Sequence, residues 1–351
     1  EINPKASKRE MDMLLSTGEQ ISIALCAMAL EGMGLPVVSL AAWQVGIQTT
    51  SAYSDARIKK IDPERIQREL DKNKIVLVAG FQGVNRFGDV TTLGRGGSDT
   101  SAVALAAAFG ADLCQIYTDV DGVYTTDPRV TSGAVKLEEI TYDEMLELAS
   151  QGAQVLHNRS VELAKKYHVN MEVVSSLERK PGTKVKEVVK MEKTNIAGVA
   201  KDTSIARIAV VGLDHNPGVA FRVFSLLGKA GINVDAIIQS IGRDTSKDIS
   251  FTLPRADVEE AVRVLEDQKG ALHFDHLTVE DKIAKVSIVG AGMMTTPGVA
   301  AKMFEALYDA NINIQMINTS EIRVSVLIDE EDAVAAVRAV HDKFFGDDSF
   351  S

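Results

Sequence analysis

Cysteine is nearly absent: Cys26 and Cys114 are the two in 351 residues, and both stand in apolar runs. That usage excludes a disulfide framework and reads as buried free thiols in a reducing compartment. No CxxC or HExxH string occurs, so a metal centre built from protein ligands has no support (metal: none). Basic charge is short as well, 38 Lys and Arg against 49 Asp and Glu, for a net charge of −11. Nucleic acid is thereby excluded as the main partner, because phosphate backbones are bound by clustered cations. The most apolar helical stretch, residues 21–30, stops at Glu31 and is too short to span a bilayer. The opening EINPK has no apolar signal core, which leaves the cytoplasm as the expected location.

What is present is the composition of an ordinary globular protein, 45% hydrophobic and 25% charged, with enough chain for two or three domains. The first half alternates helix-like and strand-like segments: a helix over 16–32, strands at 36–40, 74–79 and 113–118, and a helix over 100–109. Asp62-Pro63-Glu64 has the N-cap, proline and acid of a helix start. This alternation predicts an α/β domain with a mostly parallel open sheet sandwiched by helices.

The second half contains a repeat. PGVAFRVFSLLGKAGINVDAIIQS from Pro217 aligns without gaps, at an offset of 80 residues, with PGVAAKMFEALYDANINIQMINTS from Pro297. Each copy follows a strand, IARIAVVG or IAKVSIVG, and the order strand, PG turn, helix, IN strand, strand, helix is that of a ferredoxin-like βαββαβ unit. The second copy runs out before its last strand. The IAGVA segment at 196–200, just after the KPGT linker region, is the expected substitute.

Two loops carry the chemistry. TTLGRGGSD (91–99) follows a strand and opens a helix, so its N–H groups and the helix dipole form a concavity for an anion, and Arg95 adds a fork donor. TDVDGVYTTDPR (118–129) lies at the end of the next strand, where open α/β sheets bind ligands. Neither loop fits GxxxxGK[ST] or GxGxxG, which disfavours P-loop and Rossmann proteins. His157 and His168 have no nucleophile motif beside them and read as ordinary, partly exposed histidines; Met293-Met294 reads as packing.

TTLGRGGSDTSA and TDVDGVYTTDPR, together with STGE (16–19) and VAGFQG (78–83), resemble the signature segments of the aspartate kinases in the amino-acid kinase family. The paired PG…IN repeats resemble that family's two ACT domains, so the likeness covers nearly the whole chain. It implies a catalytic domain over 1–185, N-terminally incomplete, a linker and orphan strand over 186–202, and ACT domains over 203–281 and 282–351. It further implies phosphorylation of the β-carboxylate of L-aspartate by ATP, with Mg²⁺ held by the phosphates, at the head of lysine, threonine and methionine synthesis. Carried onto matching positions, Glu19, Arg95, Gly96, Gly97, Ser98 and Asp99 would bind the substrate. Ser98, Thr118, Asp119, Tyr124, Thr125, Thr126, Asp127, Pro128, Arg129, Gln154 and Val155 would bind the nucleotide.

The same likeness implies a homodimer formed through the ACT domains, with lysine or threonine as effector between modules of two chains. Each PG turn leaves helix-start N–H groups for an α-carboxylate: His215, Asn216, Pro217, Gly218, Val219 and Ala220 in one copy, Val299 and Ala300 in the other. The IN segments, Asn233, Val234 and Asp235 and then Asn313 and Ile314, offer carbonyls and amides, and Gln239, Ser320 and Glu321 are further polar positions. Three departures stand out. Nothing like the family's Lys-x-Gly-Gly strand precedes Ser16, so the chain by itself is expected to turn over little. Gln154 replaces a nucleotide-side lysine, and His215 an effector-side aspartate. Competing readings are a family member acting on glutamate or acetylglutamate, and a non-catalytic amino-acid sensor.

Overall fold

The computed structural model describes residues 3, 5–153, 155–188, 196–214, 216–241 and 247–346. Contacts divide the chain into two compact units. The first comprises Glu1–Val123, Lys136–Ser150 and Gln154–Lys193. The second comprises Tyr124–Val135, Gln151–Ala153 and Thr194–Ser351.

The first unit opens with a helix over Lys8–Gly32, capped by the Ser7 hydroxyl on the Glu10 N–H. It begins eight residues before Ser16, so STGE lies in mid-helix rather than at a helix start. At 25 residues this helix is long and apolar enough, by length and composition alone, to cross a bilayer, which corrects the ten-residue estimate. The estimate stopped short because Asp12 and Glu19 interrupt the apolar run. Those two share one stripe with Ser16, and Asp12 and Ser16 are buried against the unit while Leu14, Ile21, Leu25 and Met28 are exposed. Cys26 lies on the exposed side, contrary to its expected burial; Cys114 is buried as expected.

Strands Val37–Leu40 and Ile75–Val78 pair in parallel over a core of Leu40, Ala42, Val45, Ile47 and Ile66. Cys114–Thr118 pairs in parallel with Met171–Ser175, and Thr183–Lys186 links that strand to Glu139–Thr141. A third sheet joins Ile58–Lys60, Gln48–Thr49, Gln82–Val84 and Val90–Thr92 in that order. The helices Gly97–Phe109 and Asn158–Tyr167 complete the α/β architecture that the sequence pattern predicts.

In the second unit the first repeat copy is a four-stranded antiparallel sheet, ordered Ile237–Ile241, Lys247–Pro254, Ile205–Leu213, His276–Glu280. Its helices Val219–Lys229 and Val258–Glu266 contribute Val223, Leu227, Ala261 and Leu265 to a core around Ile208 and Phe251. In the second copy Ile283–Val289, Arg323–Asp329 and Met316–Ser320 form the same arrangement, and Gly198–Asp202 takes the edge beside Ile283–Val289. The IN segments are not themselves strands: the extended runs start at Ile237 and Met316. Ahead of the first, Asp235 N–H bonds to the Thr252 carbonyl while the Ala236 N–H is taken by the Thr252 hydroxyl, which breaks the regular ladder.

Residues 124–135, assigned by sequence to the first half, make their contacts in the second unit. Val130 joins the core of the second copy, and its carbonyl accepts from Arg338 Nε at 2.7 Å. The segment is therefore held by hydrophobic burial as well as by hydrogen bonds.

Candidate active site and effector positions

The glycine-rich turn is fixed by close packing on every side. Gly94 and Gly96 have φ of 77° and 64°, the left-handed region that favours glycine. A Cβ on Gly96 would stand 2.2 Å from the His157 Cβ, and one on Gly97 would stand 2.8 Å from the Phe81 ring. The 13-residue helix Gly97–Phe109 then begins, and the N–H groups of Ser98 and Asp99 lie in its first turn, where donors lack intrahelical acceptors. Arg95 is exposed and makes no ion pair among the described residues. The turn thus pairs a free guanidinium with a helix N-terminus, a combination suited to a carboxylate or phosphate.

Asp99 is half-buried. Desolvation by burial pushes its carboxyl pKa up, opposed by a hydrogen bond from the His157 main chain and by the charge of that histidine. Cys114 is pushed up to about 11, first by burial and then by the Asp99 charge, so its thiol is not a nucleophile at neutral pH. Glu19 lies half-buried on the same helical stripe as Ser16, whose carbonyl accepts from Gln82 Nε2 at 3.0 Å.

Three residues at this turn escaped the sequence reading. His157 caps the Asn158–Tyr167 helix through Nδ1, 3.3 Å from the Arg159 N–H, and its ring packs on Gly96; it is part of the turn's wall, not an incidental histidine. Arg159 donates to the Leu93 and Ala56 carbonyls. Asp12, fully buried, accepts from Ser54 and Thr92. The signal for Asp12 was its place four and seven residues ahead of Ser16 and Glu19. His168 is the exposed histidine expected, with Nδ1 2.9 Å from Glu187.

Several of the expected nucleotide residues are already engaged. Thr118 accepts from the Ser176 N–H at 2.7 Å, and its hydroxyl donates to Asp119. Thr125 is buried: its hydroxyl meets His341 Nε2 at 2.9 Å and accepts the Val135 N–H at 3.0 Å. Thr126 is buried too. The Arg129 fork closes on Asp127 at 2.8 and 3.0 Å, and that hydrogen-bonded pairing holds the Asp127 carboxyl below the usual range. Val155 is half-buried, and Gln154 lies outside the described residues.

Among the effector positions, Gly218 and Gly298 stand at φ of 89° and 90° as the N-caps of their helices, with open space where a Cβ would be. Asn216, Pro217, Asn233, Asn313, Ser320 and Glu321 are exposed, Val219 and Val299 are buried, and His215 lies outside the described residues. The Asp235 carboxylate is occupied by Lys285 Nζ at 2.7 Å. A cavity of about 410 Å³ opens between Arg207, Ile238 and Ser250 of the first copy and residues 314–317 of the second, and it takes in Ile314. Met293 packs against the second core, as expected of a packing residue.

The amino acid kinase family model matches residues 2–175, and an ACT domain model matches 208–268 and 286–344. Aspartokinase 2 of Bacillus subtilis (strain 168) is 52% identical over 344 residues, 98% of this chain and 84% of the relative. Two crystal structures of E. coli aspartokinase III, each 28% identical, cover 97% of this chain and 77% of theirs. The one in complex with aspartate and ADP (R-state) has a TM-score of 0.85, and the one with lysine and aspartate (T-state) has 0.74. A catalytic-type α/β unit, two ACT copies and half-identity along nearly the entire chain lead to one assignment: the chain belongs to the aspartokinases of the amino acid kinase family.

Proposed function

We propose that this chain transfers the γ-phosphoryl group of ATP to the β-carboxylate of L-aspartate, giving 4-phospho-L-aspartate, under control of lysine or threonine bound at the ACT copies. The observation that carries the reading is the unpaired Arg95 on a glycine turn at a helix N-terminus. The aspartate β-carboxylate is ionised near neutral pH, so no general base is needed and the protein's task is alignment and charge neutralisation. Arg95 and the N–H groups of Ser98 and Asp99 hold the substrate's carboxylates, and Glu19 its ammonium.

Thr118, Asp119 and Tyr124 to Arg129 keep the nucleotide role implied by the resemblance. Arg129 then exchanges the Asp127 carboxylate for a phosphate oxygen, a substitution its planar fork accommodates. The donors at the turn are N–H groups and a guanidinium, which suit an anion. Mg²⁺ would accordingly be held by the phosphates and would supply neutralisation of their charge. The cytoplasm and an ACT-mediated homodimer complete the reading, with the effector between modules of two chains. A purely regulatory fragment is not favoured, because the aspartokinase match runs through the catalytic half as well.

The test is aspartate-dependent ADP release from Mg-ATP. Arg95→Ala should lower kcat/KM for aspartate by about 2–4 kcal/mol and leave KM for ATP nearly unchanged. Equal aspartate kinetics with and without Arg95 would show that the substrate sits elsewhere. Calorimetric titration of lysine and threonine tests the effector; no heat at millimolar concentration leaves the repeats without that role.

A further inference from the structure

A buried carboxylate and a partly buried guanidinium grip the same two stretches of chain from opposite sides. The Asp12 carboxylate accepts the Ser54 N–H at 2.9 Å, the Thr92 N–H at 2.9 Å and the Thr92 hydroxyl at 2.8 Å. The Arg159 guanidinium donates through Nη1 to the Leu93 carbonyl at 2.8 Å and through Nη2 to the Ala56 carbonyl at 2.6 Å. One residue takes the donors of segments 54–56 and 92–93, and the other takes their acceptors. A direct bond, Ala56 N–H to the Thr92 carbonyl at 2.9 Å, ties the segments together between the two charges.

Segment 92–93 runs straight into Gly94, and the place of a Gly94 Cβ lies 3.0 Å from the Ser54 carbonyl. The clamp therefore ends where the anion-binding turn starts. Arg159 also stands two residues after His157, whose main chain is bonded to Asp99 and whose ring walls Gly96. A turn with glycines at 94, 96 and 97 has little backbone preference of its own. Its direction must be imposed from outside if Arg95 and the helix-start N–H groups are to meet a ligand without an ordering cost.

We infer that Asp12 and Arg159 are positioning residues for the substrate turn, holding its entry in the geometry in which Arg95, Ser98 and Asp99 receive aspartate. The inference rests on the substrate assignment given above. Neither residue touches the substrate; each acts through main-chain groups of Ala56, Thr92 and Leu93. Lysine cannot replace Arg159 here, because a single ammonium cannot reach two carbonyls with a rigid planar fork.

The experiment compares Arg159→Lys and Asp12→Asn with the unsubstituted chain by three measurements: calorimetric affinity for aspartate, calorimetric affinity for Mg-ATP, and the unfolding midpoint. Loss of a charge-assisted pair at the root of the turn should weaken aspartate about tenfold while Mg-ATP affinity changes less than about twofold. Unchanged aspartate affinity in a folded Arg159→Lys variant, with only the midpoint lowered, would overturn the inference and leave the clamp purely structural. Should Asp12→Asn not fold, Arg159→Lys decides alone. Amide hydrogen exchange over Gly94–Asp99 separates this inference from the substrate reading. If the unsubstituted chain binds no aspartate, the substrate assignment falls. Faster exchange at the turn in Arg159→Lys then still supports the clamp, and unchanged exchange overturns it.

Discussion

The two repeat copies share a sequence pattern and differ in how each is completed. The first makes its own fourth strand, His276–Glu280, beside Ile205–Leu213. The second has none among the described residues and takes Gly198–Asp202 from the segment that precedes both copies. The borrowed strand occupies the same place in its sheet as His276–Glu280 does in the first. An open edge next to Ile283–Val289 would expose a row of unpaired N–H and C=O groups. The second copy escapes that only through chain lying outside the repeat. Its core also takes in Ile196, Val199 and Val130 from outside the repeat, whereas among the described residues the core of the first is built from residues 206–277. One copy is self-sufficient in sequence, and the other is completed by the rest of the chain.

The sharpest way to break this comparison is to charge the borrowed strand. Val199 is buried at 1% exposure, its N–H bonds to the Thr125 carbonyl, and it pairs with Ile288. Val199→Asp places an unpaired carboxylate in the second core, at a cost of about 4 kcal/mol. Hydrogen exchange should show Val299–Asp309 and Ala333–Phe345 losing protection while Val219–Lys229 keeps it. Equal loss in both copies would show that they unfold as one and that the self-sufficiency of the first is only apparent.

The second effect is smaller and depends on pH. His341, in the last helix of the second copy, is buried and bonded to Thr125, and burial pushes its pKa below the ordinary value of 6.5. Near 3.9 Å the Asp342 carboxylate opposes that shift without cancelling it. The folded state thus favours neutral imidazole. Its contribution is complete above the ordinary histidine value and is lost as pH falls through the lowered one, because the unfolded chain takes up the proton first. His341→Gln should cost about 1 kcal/mol at pH 8 and remove part of the decline in the midpoint below pH 6.5. Among the described residues the first copy holds no buried histidine, so its exchange protection should not follow that slope. An identical pH profile in the variant and the parent would assign the decline to other groups.

These contrasts show what the sequence could and could not tell. The repeat, its helices and the glycine turn are local patterns, set by apolar spacing and by positive-φ positions, and all were legible. That 196–200 completes the second sheet was legible by subtraction, since one copy lacked a strand. The docking of 124–135 was not, because Thr125, Val130, His341 and Arg338 meet across about 200 residues and no local pattern announces such a contact. The clamp on the substrate turn was hidden for the same reason. Asp12 lay ahead of the helix expected over 16–32, and Arg159 in a segment to which no element was assigned. Charges that bind mainly main-chain carbonyls and amides leave little pairing signal in the sequence.

The smallest expected effect concerns the seam between the copies. Lys285 sits at 7% side-chain exposure, with Nζ 2.7 Å from Asp235, and Arg207 occupies the corresponding position of the first copy's strand IARIAVVG. Around it Ile205, Ala236, Ile283, Met316 and Leu327 form a small apolar cluster shared by both copies. The pair looks like the strongest tie across the seam, yet desolvating an ammonium costs about as much as its partner returns. Asp235 is 44% exposed, so without Lys285 its carboxylate can turn to water instead of remaining buried and unpaired. Lys285→Met, similar in length and apolar, should therefore change stability by less than about 1 kcal/mol, in either direction. The measurement is the chemical-denaturation midpoint at low and at high salt. A loss above about 2 kcal/mol would show that the ion pair, rather than the apolar cluster, holds the two copies together. A near-neutral result gives the charge a different meaning: with Lys285 in place, Asp235 is withheld from any effector ammonium, and Lys285→Met should free that carboxylate without loosening the seam.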